Sequence, residues 1–379
     1  MKQPANTSSS GPAPDQLGDF RSSLLQYYDR FCRDLPWRGE TDPYRILVSE
    51  IMLQQTRVET VLQYYGSWLK RFPTLGALAS ADSREVLKAW EGLGYYRRAR
   101  NLHSAARRIR ELPGEHFPTS YRDLRKLPGV GQYTAGAVAS IGFGEIVPAV
   151  DGNVRRVLAR LFDKREPRAR WLNRIAAELV DKDRPGDWNQ ALMELGAMIC
   201  SPKNPRCDDC PVQLWCTAHE QGTQALSPAG IRRVPAREIS FLLVILQTEE
   251  GEVMLVQRPR QGLLAGMWAF PEQELAEPLD CAATSRDRAI ELAMSLGAEV
   301  VGGASVLAEI QHRFTHLQAR YRPWVVPVEK LLTGEGNVWM TPGEPVDFPI
   351  PVAQHKVLDA LAECRETPGN SESHASNPS

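Results

Sequence analysis

The chain has 379 residues, 42% of them hydrophobic, and its 45 Lys and Arg nearly balance 46 Asp and Glu. That length exceeds one ordinary core, so two domains are expected. No stretch approaches the roughly 20 apolar residues that a bilayer-spanning helix needs, which excludes such a helix; the formal charge of −1 does not exclude nucleic acid, because only the contacting surface need be basic.

Residues 1–17 carry neither a charged region ahead of an apolar run nor an Arg-rich amphipathic pattern, and they read as a disordered tail. The expected setting is a reducing bacterial cytoplasm. From residue 18 to 218 the apolar spacing is helical with short polar interruptions. Within it, "TDPYRILVSEIMLQQTR" opens a helix with Asp42 as cap and Pro43 as first helical residue. Glu50 falls on the face of that helix that carries Ile46 and Leu53. A carboxyl on an apolar face has its charged form disfavoured and becomes a candidate acid at neutral pH, the alternative being an ion-paired or capping glutamate.

Between residues 90 and 170 there are 16 Lys or Arg against 8 Asp or Glu, a local excess expected either of a phosphate-binding surface or of solvated helix faces. Inside this region, "LRKLPGVGQYTAGAVASIGF" places a turn at Pro128, Gly129, Val130 and Gly131 before a helix starting near Tyr133. Free amides at that helix start suit a phosphate, and the flanking Arg125 and Lys126 favour this over a plain turn between helices. Asp151, just ahead of the basic helix in "VPAVDGNVRRVLARLF", is expected to cap it and to remain ionised, and it is also a candidate for stabilising a cationic sugar.

Four of seven cysteines lie in "CSPKNPRCDDCPVQLWC": Cys200, Cys207, Cys210 and Cys216. Only one short C-x-x-C pair is present, whereas structural zinc sites usually repeat one, so the spacing favours an iron-sulfur cluster over zinc. Cys32, Cys281 and Cys364 are scattered and read as packing or surface residues. This loop resembles that of the endonuclease III and adenine glycosylase superfamily of DNA repair enzymes.

Residues 219–237 lose apolar periodicity and read as a linker. Beyond it, "ISFLLVILQTEEGEVMLVQRP" signals a β-hairpin, a helix is expected near 284–297, and "ARYRPWVVPVE" is β-rich. A second domain of α+β class is thus predicted over 238–364, ahead of a disordered tail at 365–379.

The motifs "LPWRG", "VSEIMLQQTRV", "GLGYYRRARNL", "LPGVGQYTAGA", "VDGNV", "ALMELGA" and the cysteine loop occur in the order seen in A/G-mismatch adenine DNA glycosylases, the MutY family. With "RPRQGLLAGMWAFPEQE" and "HRFTHLQ", the resemblance covers roughly residues 20 to 362. It implies an all-α helix-hairpin-helix glycosylase domain with one 4Fe-4S cluster, followed by a Nudix-like domain. The implied partner is double-stranded DNA with adenine opposite 8-oxoguanine or guanine, bound by a monomer.

The resemblance makes Glu50 the acid that protonates adenine and Asp151 the stabiliser of an oxocarbenium-like sugar, with Tyr133 and Asn153 completing the site. Where endonuclease III-like enzymes carry a lysine, Tyr133 cannot form an imine, so a monofunctional glycosylase is expected. Trp37, Arg38 and Glu194 resemble the pocket for the extruded base. Gln55, Thr56, Leu93 and Tyr95 resemble the group that reads and wedges beside the opposite base, although Tyr95 also reads as a core aromatic. Phe314, Thr315 and His316 correspond to a Phe-Ser-His reading loop, with threonine replacing serine. No metal-binding Nudix helix of pattern R-E-x-x-E-E is present, which favours recognition over nucleotide hydrolysis. A glycosylase for another mispaired base and an inactive iron-sulfur DNA-binding protein are the competing readings.

Overall fold

A computed structural model describes residues 11–230, 235–259, 261–275, 282–314, 317–329 and 336–366. The chain divides into two units, Met1–Val86 with Tyr95–Arg232, and Leu87–Gly94 with Arg233–Ser379. Among the described residues, helices α1 (Leu17–Phe31), α2 (Pro43–Leu53), α3 (Val58–Arg71), α4 (Leu75–Ser80), α5 (Ser83–Ala89), α6 (Arg97–Arg110), α7 (Tyr121–Leu124), α8 (Gln132–Phe143), α9 (Gly152–Leu161), α10 (Ala169–Leu179), α11 (Pro185–Met198) and α12 (Thr217–Glu220) precede the first strand. A 3₁₀ turn at Pro14–Gln16 and the start of α1 at Leu17 order part of the expected tail.

The helices follow from local chemistry. Asp42 accepts a hydrogen bond from the Tyr44 amide at 2.9 Å, and Pro43 sits at the first helical position of α2, where its missing N–H costs nothing. On α10, Leu172, Ile175, Ala176 and Leu179 recur at helical spacing and are buried with Phe20 and Leu24 of α1 and Trp188 and Leu192 of α11. The cysteine loop rests on the same core, for Phe20 packs edge-on against both Trp188 and Trp215 at 5.6 Å. At the hairpin turn, Gly129 has φ +74, and a Cβ there would meet Asn101. The helix before this turn, α7, is a single turn long.

Residues 221–230, read as linker, lie against the first unit. Arg160 donates to the carbonyls of Gln224 and Ser227, Ser227 Oγ donates to Asp163, and the Ala229 amide donates to the Arg165 carbonyl. Part of the basic excess is likewise structural, since Arg98 and Arg160 are buried.

In the second unit, strands β1 (Arg237–Gln247), β2 (Val253–Gln257), β3 (Trp268–Ala269), β4 (Glu272–Leu275), β5 (Ser305–Val306), β6 (Ile310–Arg313), β7 (Leu317–Pro327) and β8 (Asn337–Met340) form one mixed sheet. The expected hairpin joins β1 to β2, its turn closed where the Thr248 amide meets the Glu252 carbonyl. Strand β1 runs parallel to β7 from Arg237–Leu317 to Gln247–Pro327. Helices α13 (Ala282–Ser295) and α14 (Val352–Glu366) cover opposite faces: Phe241, Leu243 and Ile245 share a core with Val357 and Leu361 of α14, whereas Leu242, Val244 and Leu246 pack with Ala289 and Ala293 of α13. Burial on both faces is why β1 reads as a continuous apolar run rather than an alternating one.

Helices α9 and α11 touch through Gly196, where an added Cβ would lie 2.6 Å from Asn153 Cβ. Gly196→Ala is expected to force the start of α9 away, lowering stability by about 1–3 kcal/mol, the usual cost of overpacking. Chemical denaturation checks this; an unchanged midpoint would show that the contact yields without cost.

Candidate active site

A cleft of about 810 Å³ opens in the first unit and brings together groups from α2, α8, α9 and α11. Glu50, Tyr133, Asp151 and Asn153 line it, as do Trp37, Arg38, Glu194, Gln55 and Thr56. Only 6% of Glu50 is exposed, and Tyr133 donates its hydroxyl to Glu50 Oε2 at 2.5 Å. Burial pushes the Glu50 pKa up to about 6, and the charge of Asp151 adds to the rise, against the opposing Tyr133 hydrogen bond and Arg38 charge. Burial next to two carboxyls also drives Tyr133 far above the usual phenol range, so it stays a neutral donor.

Asp151 caps α9, accepting from the Val154 amide at 2.7 Å and from Asn153 Nδ2 at 2.9 Å. Its pKa is nonetheless raised, because burial outweighs those bonds and the nearby Arg156 charge. The cap is thus present, with burial and the cap's hydrogen bonds acting on the carboxyl in opposite directions. Asn153 in turn accepts from Arg156, which also donates to the carbonyls of Gly196 and Cys200.

Glu194 contrasts with Glu50. Burial pushes its carboxyl up, but Arg33, donating from Nε at 2.6 Å and Nη2 at 3.0 Å, and Arg38, donating at 2.7 Å, hold it below the usual range. Arg38 also donates to Gln190 at 2.5 Å. Arg33 and Gln190 escaped sequence reasoning because they meet this cluster only through tertiary packing. Arg57, Arg155 and Met193 are further lining residues without a local signal; Met193 Sδ lies 3.5 Å from the Tyr133 hydroxyl.

Other sequence candidates lie apart from the cleft. In the turn between α7 and α8, Val130 is buried, while no side chain caps α8 at Gly131. Tyr95 has φ +49 and is 42% exposed, which suits the loop tip rather than the core, whereas Leu93 is buried and clusters with the second unit. Phe314 packs at the edge of the second unit's core against His312. Thr315 and His316 lie outside the described residues.

Cys200, Cys207, Cys210 and Cys216 are unbridged and line one small cavity with Arg160. Burial raises Cys207, lifts Cys210 to about 12 and Cys216 to about 11, and the thiols raise one another. Burial disfavours a free thiolate here, so an electrophilic centre that takes the sulfurs as ligands would relieve it, and an all-sulfur donor set suits iron-sulfur or zinc chemistry. Arg160 Nη1, 3.3 Å from Cys200 Sγ, offers compensating positive charge. Among the described residues no three His, Cys, Asp or Glu side chains are arranged to hold a single metal ion.

The buried Glu50 carries a stability consequence. Its folded pKa of about 6 exceeds the ordinary 4.5, so the folded state binds more protons than the unfolded chain between these values, and stability falls as pH rises through that window. Glu50→Gln, which can still accept from Tyr133, is expected to gain about 2 kcal/mol at pH 8 and nothing at pH 4. Denaturant melts at the two pH values test this, and equal stability at pH 8 would contradict it.

Comparison with known proteins agrees with this arrangement. Residues 48–182 match the HhH-GPD superfamily base excision DNA repair protein family, and residues 242–360 match the NUDIX domain. The adenine DNA glycosylase of Rattus norvegicus is 38% identical, covering 91% of this chain and 78% of its own. That of Homo sapiens is 37% identical, covering 89% and 73%. The structure of a thermostable thymine-DNA glycosylase is 30% identical with a TM-score of 0.51, covering 55% of this chain and 98% of its own. With paired carboxyls in one cleft and relatives matched over most of their length, the chain belongs to the adenine DNA glycosylase family.

Proposed function

We propose that the protein hydrolyses the N-glycosidic bond of adenine mispaired with 8-oxoguanine or guanine in double-stranded DNA, acting as a monomer. The observation that carries this reading is the buried Glu50 carboxyl, with a pKa near 6 and bonded to Tyr133, in the same cleft as Asp151. Such a carboxyl is suited to protonating a ring nitrogen of adenine, which makes the base a leaving group. Asp151 supplies negative charge beside the sugar as its oxocarbenium character grows, and Asn153 steadies one carboxylate oxygen.

The target adenine must leave the stack to reach the cleft. Glu194, its two oxygens taken up by Arg33 and Arg38, anchors Arg38, which with Trp37 walls the pocket for the extruded base. No lysine is among the described residues lining the cleft, which supports hydrolysis without an imine to the sugar and so without strand cleavage. Phosphates are held at the uncapped start of α8, after Pro128, Gly129, Val130 and Gly131, beside exposed Arg125 and Lys126. Gln55 and Thr56 read the opposite base and Tyr95 wedges beside it; the second unit, through Phe314, Thr315 and His316, adds recognition of 8-oxoguanine. Cys200, Cys207, Cys210 and Cys216 would hold one 4Fe-4S cluster, whose bonds to the four sulfurs would cross-link the 200–216 loop to itself.

Single-turnover release of adenine opposite 8-oxoguanine, with thymine opposite guanine as control, tests the reaction. Glu50→Gln should abolish most of the rate, and the wild-type rate should fall as pH rises through about 6, the direction for a reaction that needs the protonated acid. Thymine release with adenine retained would overturn the substrate assignment. For the cluster, the purified protein should contain about four irons per chain, and Cys210→Ser should lose the thiolate-to-iron absorbance; one zinc per chain would replace the iron assignment.

A further inference from the structure

We propose that Arg98 is a positioning residue for recognition of the base opposite the adenine, fixing Thr56 as a hydrogen-bond donor and seating the Tyr95 ring. This rests on the reading of Gln55, Thr56 and Tyr95 as the opposite-base group.

Arg98 lies in the first turn of α6, yet it serves the end of another helix. Its Nη1 donates to the carbonyls of Ile51 at 3.1 Å, Met52 at 2.7 Å and Gln54 at 2.5 Å. The last carbonyls of α2 have no partner within the helix and carry the negative end of its dipole, so a buried cation there is doubly favoured. These bonds offset the cost of the burial: Arg98 is 7% exposed, and desolvation lowers its pKa to about 10. The chain then leaves α2 through Gln55 in a left-handed conformation, φ +57, which holds its side chain exposed.

Nη2 of the same guanidinium donates to Thr56 Oγ1 at 2.9 Å. A guanidinium has no acceptor, so this bond occupies a lone pair of the hydroxyl and leaves the Thr56 proton to be donated elsewhere. The Tyr95 ring lies over the guanidinium at 5.3 Å, and the Arg98 amide donates to the Tyr95 carbonyl at 2.8 Å. This holds a non-glycine residue at φ +49 with an exposed ring. One planar group thus sets the hydroxyl polarity of Thr56 and the seat of Tyr95, two side chains from separate segments. Lysine, a point charge with three donors on one atom, cannot reproduce the fork that reaches the α2 carbonyls and Thr56 from two nitrogens at once.

The test is single-turnover adenine release from three duplexes, with the target opposite 8-oxoguanine, guanine or a tetrahydrofuran abasic residue, by wild type and Arg98→Lys, with melting curves for both. A defect in reading shows only where a base is present to be read, whereas a defect in the Glu50 helix lowers all three rates alike. Arg98→Lys is expected to slow release opposite 8-oxoguanine by about tenfold or more, the scale of one hydrogen bond to a charged group, while release opposite the abasic residue barely changes. Equal slowing on all three duplexes, or an unchanged preference, overturns the proposal. If Arg98→Lys does not fold, Thr56→Ser and Thr56→Val decide: serine should keep the preference and valine lose it, and valine keeping it overturns the proposal. A wild type that releases adenine equally from all three duplexes removes the opposite-base reading itself, an outcome seen before any variant is made.

Discussion

The first unit is organised around the cost of keeping carboxyl groups away from water. Glu50 and Glu194 are both buried glutamates on the walls of one cleft, and their neighbours drive them in opposite directions. Glu50 meets a phenol that only donates a neutral hydrogen bond, so desolvation prevails. Glu194 meets two guanidiniums, so ion pairing prevails. The electrostatics of the cleft depend on that divergence: one carboxyl has its proton held more tightly than usual, and the other has its charge fixed between two arginines.

The remaining burial is managed by arginines acting on backbone carbonyls rather than on acids. Arg98 closes the end of α2, Arg156 joins the start of α9 to Gly196 and Cys200, and Arg160 gathers the carbonyls of Ser201, Pro202, Gln224 and Ser227. Each side chain satisfies carbonyls that have no helix or strand partner, in places where the chain changes direction. Loops near the cleft are therefore tied at several points, which keeps short functional segments in place without secondary structure of their own.

Legibility in the sequence followed the range of each interaction. Glu50 and Asp151 could be singled out because helical spacing and cap position act over a few residues, and the four cysteines because their whole motif spans one loop. Arg33 and Gln190 could not be, since each meets its partner across more than 150 residues of chain. The basic excess over residues 90–170 misled in part, for the sequence does not distinguish an arginine facing phosphate from one spent on carbonyls. In the second unit β1, β2, α13 and β7 were readable from their length and composition. Strands of two to four residues such as β3, β5 and β6 carry too little pattern to be seen, and the parallel pairing of β1 with β7 has no local signature at all.

That parallel pairing also constrains how the second unit can come into being. The segment "ISFLLVIL" in β1 is apolar on both faces, and its neighbour β7 begins some 80 residues later. Until β7 has arrived and both helices have docked, the strand presents an uncovered, uncharged edge of the kind that nucleates intermolecular sheets. Closing so long a loop is slow compared with hairpin formation. A fragment cut anywhere between β1 and α14 would therefore be an aggregation hazard rather than a smaller domain, and any dissection of this protein is best made before Arg237.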